Sequence, residues 1–74
     1  MDIESRVFLL AIYKKKPDES IKDVMFILEN TKLFSLKDGK KKLKELKEQE
    51  YVDENSLTLK GVELAKQVEL EFKI

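Results

Sequence analysis

Cysteine, histidine and tryptophan are absent from this 74-residue chain, which contains two glycines and one proline. Without cysteine the chain forms no disulfide, and without cysteine or histidine it lacks the usual ligands of a zinc site. A chain this short buries about 60% of the surface that its unfolded form exposes, so its stability depends on good helix packing or on self-association. We expect a single domain over residues 1–74.

The sequence also lacks the patterns that catalysis and cofactor binding require. Catalysis needs a positioned acid, base or nucleophile, and the many carboxylates here stand among lysines on polar helix faces. Gly39 and Gly61 are the only glycines, which excludes a glycine-rich phosphate loop. We therefore expect that the protein is not an enzyme and that it binds no cofactor, metal or small-molecule ligand.

Long apolar runs are missing as well. The longest, from Val7 to Tyr13, is too short to cross a membrane. Basic residues follow this run rather than precede it, which is unlike a signal peptide. We expect a cytoplasmic protein that does not bind membranes.

Apolar residues at helical spacing predict four helices, at about residues 2–15, 20–30, 35–49 and 59–72. Each predicted helix starts at a residue that commonly caps an N-terminus, and these residues are Asp2, Ser20, Ser35 and Thr58.

One apolar stripe of the first helix comprises Ile3, Val7, Leu10 and Ala11. A second apolar face on the same helix indicates that the helix is either central in the fold or shared with another chain.

On the third helix Gly39 lies on the apolar side, where we expect close packing against a neighbouring helix. We expect Leu43 to be buried between the second and third helices, so that Leu43→Ala costs about 2–5 kcal/mol.

The segment between the third and fourth helices predicts a short β-hairpin at residues 51–58. Tyr51 and Val52 favour a strand, residues 53–56 form turns readily, and Leu57 stands in a second strand-like stretch. The predicted fold class is therefore α+β and mostly helical, with three helices, a short hairpin and a C-terminal helix.

Three short motifs in this order carry a family resemblance. They are Phe34-Ser35, then Leu43-Lys44-Glu45-Leu46 with Glu50-Tyr51-Val52, then Leu57-Thr58-Leu59-Lys60-Gly61 with Leu64-Ala65. Over roughly residues 3–68 the chain resembles the winged helix-turn-helix family, especially its MarR-like and PadR-like repressors. The resemblance implies a winged-helix domain that binds duplex DNA and regulates transcription, with the third helix as recognition helix. Where the family usually has glycine before the wing, this chain has Glu50.

The chain has no net charge, so any DNA binding must depend on where its charges lie. Residues 37–47 include six lysines and two carboxylates, a local net charge of +4. The predicted DNA-binding residues are Lys37, Lys40, Lys41 and Lys44. On a helical wheel their side chains point away from the apolar side of the helix or flank it. Because lysine reads bases less specifically than arginine, we expect contacts mainly with phosphates.

Two alternatives stay open at this point. The lysines also fit a solvated helix face. The zero net charge and a wing without basic residues also fit a winged-helix module that binds another protein without nucleic acid. The apolar residues of the outer helices are either core or the interface of a weak homodimer through the first and last helices, formed by Leu9, Ile12, Tyr13, Leu70, Phe72 and Ile74.

Overall fold

The computed structural model describes residues 1–54 and 56–72, and this part of the chain contains four helices and no strand. The helices are α1 (Ile3–Lys14), α2 (Ile21–Asn30), α3 (Leu36–Glu48) and α4 (Leu59–Phe72). These bounds confirm the four helices predicted from the sequence. Within the described ranges no helix combines the length and the apolar character needed to cross a membrane.

Side-chain caps begin all four helices, as predicted. The Asp2 carboxylate accepts a hydrogen bond from the Ser5 N–H at 2.8 Å, and the Ser35 hydroxyl accepts one from the Asp38 N–H at 3.1 Å. At α2 the cap is reciprocal, because Ser20 accepts from the N–H of Asp23 while the Asp23 carboxylate accepts from the N–H of Ser20. Such caps satisfy N–H groups that have no partner within the helix.

The C-termini of α2 and α3 share one backbone motif. Lys32 and Glu50, each just beyond the cap residue, both have φ of 64°, in the left-handed region that glycine usually occupies. After α3, the Tyr51 N–H donates to the Leu46 carbonyl at 3.0 Å, which closes the helix. Glu50 therefore adopts a backbone conformation that glycine would adopt more readily.

The prediction of an α+β fold with a hairpin wing is wrong. Among the described residues, the predicted hairpin is reduced to one isolated antiparallel bridge between Val52 and Leu57. A tight turn lies between these two residues, with the Asp53 N–H donating to the Ser56 carbonyl at 2.9 Å and the Asp53 carboxylate accepting from the Ser56 N–H at 2.9 Å. Asn55 lies outside the described residues.

No hairpin forms among the described residues, because the ends of the helices on either side include residues that the two strands would need. The left-handed turn at Glu50 ends α3 just before the segment, and Thr58 caps α4 just after it. With the turn occupying the middle of the segment, one residue pair remains for strand pairing, whereas strands are usually at least three residues long.

The core is built around α1, which packs against both α2 and α4. Phe8, Leu9 and Ile12 are buried, so the second apolar face of α1 forms the core. The other apolar stripe is less buried, since Ile3 is 64% exposed and Val7, Leu10 and Ala11 are half-buried. Because α1 is apolar on most sides, periodicity could not decide which side its neighbours would cover.

The contact of α3 with α2 confirms the expectation for Gly39. A Cβ atom on Gly39 would lie 2.8 Å from Phe34 Cε1 and 2.9 Å from Met25 Cγ, so the absence of a side chain allows the close approach. Leu46 is 2% exposed and occupies the core. Leu43 is half-buried at the edge of that core, which corrects the expectation that it is fully enclosed.

Gly61 joins the start of α4 to the end of α3. A Cβ atom there would overlap with the backbone carbonyl of Tyr51, far inside van der Waals contact. The Thr58 hydroxyl reinforces this junction, because it donates to the Glu50 carbonyl at 2.6 Å and accepts from the Gly61 N–H at 3.1 Å. The threonine and glycine of the sequence motif therefore hold two helix ends together.

The different burial of two leucines on α3 predicts different losses of stability. We expect Leu46→Ala to lower the free energy of unfolding by about 2–5 kcal/mol, because it leaves a cavity in the core. Leu43→Ala should cost less, because solvent can reach the space that the side chain leaves. Chemical denaturation of both variants measures the difference, and an equal or larger loss for Leu43→Ala would contradict this packing.

The two glycines provide a matched comparison. We expect Gly61→Ala to destabilise the fold by about 3 kcal/mol, because the new methyl group meets a backbone atom that cannot move independently of α3. Gly39→Ala meets side-chain atoms of Phe34 and Met25 rather than backbone, so these two buried side chains must move, while alanine gains about 1 kcal/mol of helix propensity. We therefore expect a smaller loss than for Gly61→Ala, measured by thermal or chemical denaturation. Similar losses for the two variants would contradict the proposed role of the junction.

Candidate nucleic-acid interface

The α2–turn–α3 unit has the order of a helix-turn-helix. The turn runs from Thr31, which follows α2, to Ser35, which caps α3. Phe34 in this turn is buried and meets the Phe8 ring of α1 edge to face, with ring centroids 5.3 Å apart. The turn is therefore anchored in the core, and this anchor sets the position of α3.

The predicted DNA-binding residues all lie on the exposed side of α3. These residues are Lys37, Lys40, Lys41 and Lys44. None of them forms an ion pair or a side-chain hydrogen bond with another described residue. Leu46 and Gly39 define the buried side of the helix. The structure thus brings the four lysines together on one helix, with their ammonium groups in solvent.

Lys47 belongs to the same surface, although it is not among the four lysines predicted to bind DNA. It is exposed and follows Lys40 by seven residues, so both lie on one side of the helix. Lys37 and Lys44 show the same spacing, which is the signal that could have identified Lys47. We call Lys37, Lys40, Lys41, Lys44 and Lys47 together the lysine face.

Lys42 differs from the other lysines of α3, because it points towards α1. Its ammonium group lies 3.0 Å from an Asp2 oxygen and 4.0 Å from a Glu4 oxygen, and its side chain is 13% exposed. The hydrogen bond to Asp2 raises the pKa of Lys42, while partial desolvation opposes this effect. Hydrogen bonds from Ser5, assisted by Lys42, hold the Asp2 pKa well below its usual range.

Several cations elsewhere in the described chain are paired in a similar way, although others, such as Lys16, Lys22 and Lys66, form no ion pair with a described residue. Arg6 lies 2.7 Å from Glu71, and Lys14 forms an ion pair with Glu69, so both bridge α1 and α4. Lys60 donates to the Gln49 carbonyl at 3.0 Å, and its ammonium group lies 4.6 Å from the centre of the Tyr51 ring. The lysine face differs from the unpaired lysines elsewhere, because its five exposed lysines lie together on one helix.

Carboxylates border the lysine face on two sides. A groove between the start of α1 and α3 is lined by Lys41 and Lys42 together with the acidic side chains of Asp2, Glu4, Asp38 and Glu45. Beyond the end of α3, the segment that replaces the predicted wing has exposed Asp53 and Glu54 and no lysine or arginine from 51 to 58. A phosphate backbone would therefore meet attractive charge along α3 and repulsion at this segment.

Comparisons of the chain with protein-family models, with curated proteins and with solved structures found no match.

The low pKa of Asp2 predicts a defined pH dependence. A carboxylate with a lowered folded-state pKa stabilises the fold above its unfolded-state pKa of about 3.9, and this stabilisation is lost as the pH falls towards the folded-state value. Asp2→Asn keeps a capping residue and removes the charge. We expect this variant to be less stable than the parent at neutral pH, with a difference that shrinks below about pH 4.

Urea denaturation of parent and variant at a series of pH values measures this difference. Circular dichroism at neutral pH checks that Asp2→Asn retains its helices. A difference in stability that stays constant from neutral pH to about pH 2 would contradict a charged Asp2 in the folded protein.

Proposed function

We propose that this chain is a helix-turn-helix domain without a wing, which binds the phosphate backbone of duplex DNA through the lysine face of α3. The observation that carries the proposal is the local excess of unpaired charge. Five exposed lysines occupy one side of a single helix, whereas Arg6, Lys14 and Lys42 are neutralised by carboxylates of neighbouring helices.

The geometry of α3 supports DNA as the partner. A recognition helix must be rigidly held on one side and open on the other, so that its outer side can enter the major groove. Leu46 and the close contact at Gly39 hold the inner side of α3, and the outer side carries the five lysines together with Glu48 at its C-terminal end. The anchored turn at Phe34 restricts rotation of the helix, so that the lysines are presented together.

The side chains on the lysine face favour contacts with phosphates over the recognition of bases. Asparagine and glutamine read adenine, and the planar fork of arginine suits guanine better than lysine does, but the exposed start of α3 offers Lys37 and Asp38. Lysine binds phosphates as a mobile point charge. We therefore propose weak sequence preference, with regulation of transcription as the role that the winged-helix resemblance suggested for such a domain.

The proposal predicts strongly salt-dependent binding. Each neutralised phosphate releases condensed counterions, so four contacts give a slope of log affinity against log salt of about −3.6, and five give about −4.5. We expect Lys44→Ala to make this slope less steep by about one and to weaken binding to unrelated duplexes equally. Fluorescence anisotropy with two duplexes of different sequence, at several salt concentrations, measures both quantities.

Lys16→Ala is the matched control. Lys16 is exposed and follows the C-terminal end of α1, whereas the opposite end of α1 contacts α3 through Asp2. We expect this variant to bind as the parent does. If Lys44→Ala and Lys16→Ala have equal effects, or if the parent shows no salt-sensitive binding, the lysines form a solvated face and the proposal fails.

The second candidate function is binding to another protein. Phe26 and Ile27 favour it, because these apolar side chains of α2 are 39% and 48% exposed. A parent protein that does not bind duplex DNA at low salt would make this alternative the better hypothesis.

A further inference from the structure

The α4 helix has two faces, and the chain itself covers one of them. Gly61, Ala65 and Val68 are buried against the rest of the fold. On the opposite side, Leu59 is 78% exposed and Leu70 is 69% exposed, the two highest values among the large apolar side chains that the structure describes. Glu63 and Lys66 lie between these leucines and are exposed as well.

These four residues form a single straight stripe. Their spacing of four, three and four residues is the spacing of the a and d positions in a coiled coil, which all face one partner helix. Leucines stand at both ends of the stripe and opposite charges stand at its centre. Neither Glu63 nor Lys66 forms an ion pair with another described residue.

The stripe is complementary to itself in the antiparallel direction. When two copies of α4 are related by a two-fold axis between residues 64 and 65, Leu59 faces Leu70 of the partner subunit. In the same register Glu63 faces Lys66 of the partner subunit. The two-fold axis repeats both contacts, so that two leucine pairs enclose two ion pairs.

We propose that the outer side of α4 docks antiparallel against the α4 of a second copy of this chain. Charge complementarity favours a second copy of α4 in the antiparallel direction. A parallel pair in register would instead place Glu63 against the partner's Glu63 and Lys66 against the partner's Lys66. The antiparallel register replaces both repulsions by attractions and also joins the exposed leucines. One helix face is far smaller than the about 800 Å² per partner of a standard interface, so the dimer is weak and depends on protein concentration.

This interface differs from the dimer expected from the sequence. Leu9 and Ile12 of α1 are buried in the chain's own core and cannot meet a second copy while the protein is folded. Ile74 lies outside the described residues. The proposed contact uses α4 alone, and it does not depend on whether the lysine face of α3 binds DNA.

Charge reversal at the centre of the stripe tests both the interface and its register. Sedimentation equilibrium over a wide range of concentration compares the parent with Glu63→Lys, with Lys66→Glu and with the double variant. Each single reversal places like charges together twice, so we expect the dimer to weaken at least about tenfold. The double variant exchanges the two charges, and we expect it to dimerise about as well as the parent.

Lys22→Glu is the matched control for Lys66→Glu, since it reverses an exposed lysine on α2 and changes the net charge equally. It should dimerise like the parent. Leu70→Ser should also weaken the dimer, and circular dichroism checks that every variant keeps its helices. A parent that remains monomeric at the highest concentration, single reversals that dimerise normally, or a double variant that is not restored would each overturn the proposal.

Discussion

The contact between Gly61 and the carbonyl oxygen of Tyr51 determines how the chain passes from α3 to α4. No side chain fits between these backbones, and the Thr58 hydroxyl links them by bonding both the Glu50 carbonyl and the Gly61 N–H. Because the start of α4 is held at the end of α3, α4 returns directly to α1 and covers it. The same constraint leaves too few residues for a hairpin, and the described residues of this segment form a turn with one isolated bridge where a wing was expected.

The position of α1 follows from this route of the chain. With α2 on one side and α4 on another, α1 contributes the completely buried Phe8 and Leu9, and the Phe8 ring also anchors the turn before α3 through Phe34. The ion pairs of Arg6 and Lys14 with α4 lie at the exposed edge of this packing. Exposed pairs usually contribute about 1 kcal/mol or less, so apolar burial provides most of the stability.

The distribution of charge connects the fold to the proposed function. A chain with equal numbers of acidic and basic residues has little long-range attraction for DNA, unless the two signs are distributed unevenly over its surface. The folded chain has such a distribution, because five exposed lysines lie together on α3, while Arg6, Lys14 and Lys42 are paired with carboxylates. The acidic segment after α3 confines the proposed DNA contact to that helix.

Local patterns in the sequence determined the four helices, their N-terminal caps and the exposed lysines of α3, because helical periodicity and capping depend on residues a few positions apart. The sequence also indicated the close packing at Gly39. The tertiary structure decided which side of α1 is buried. That helix is apolar on most sides, and the positions of α2 and α4 determine which side they cover. It also decided that Lys42 is paired with Asp2, 40 residues away, and that the described residues among 51–58 form one isolated bridge instead of the predicted hairpin. These outcomes depend on contacts between distant segments, which the periodicity of a single segment does not encode.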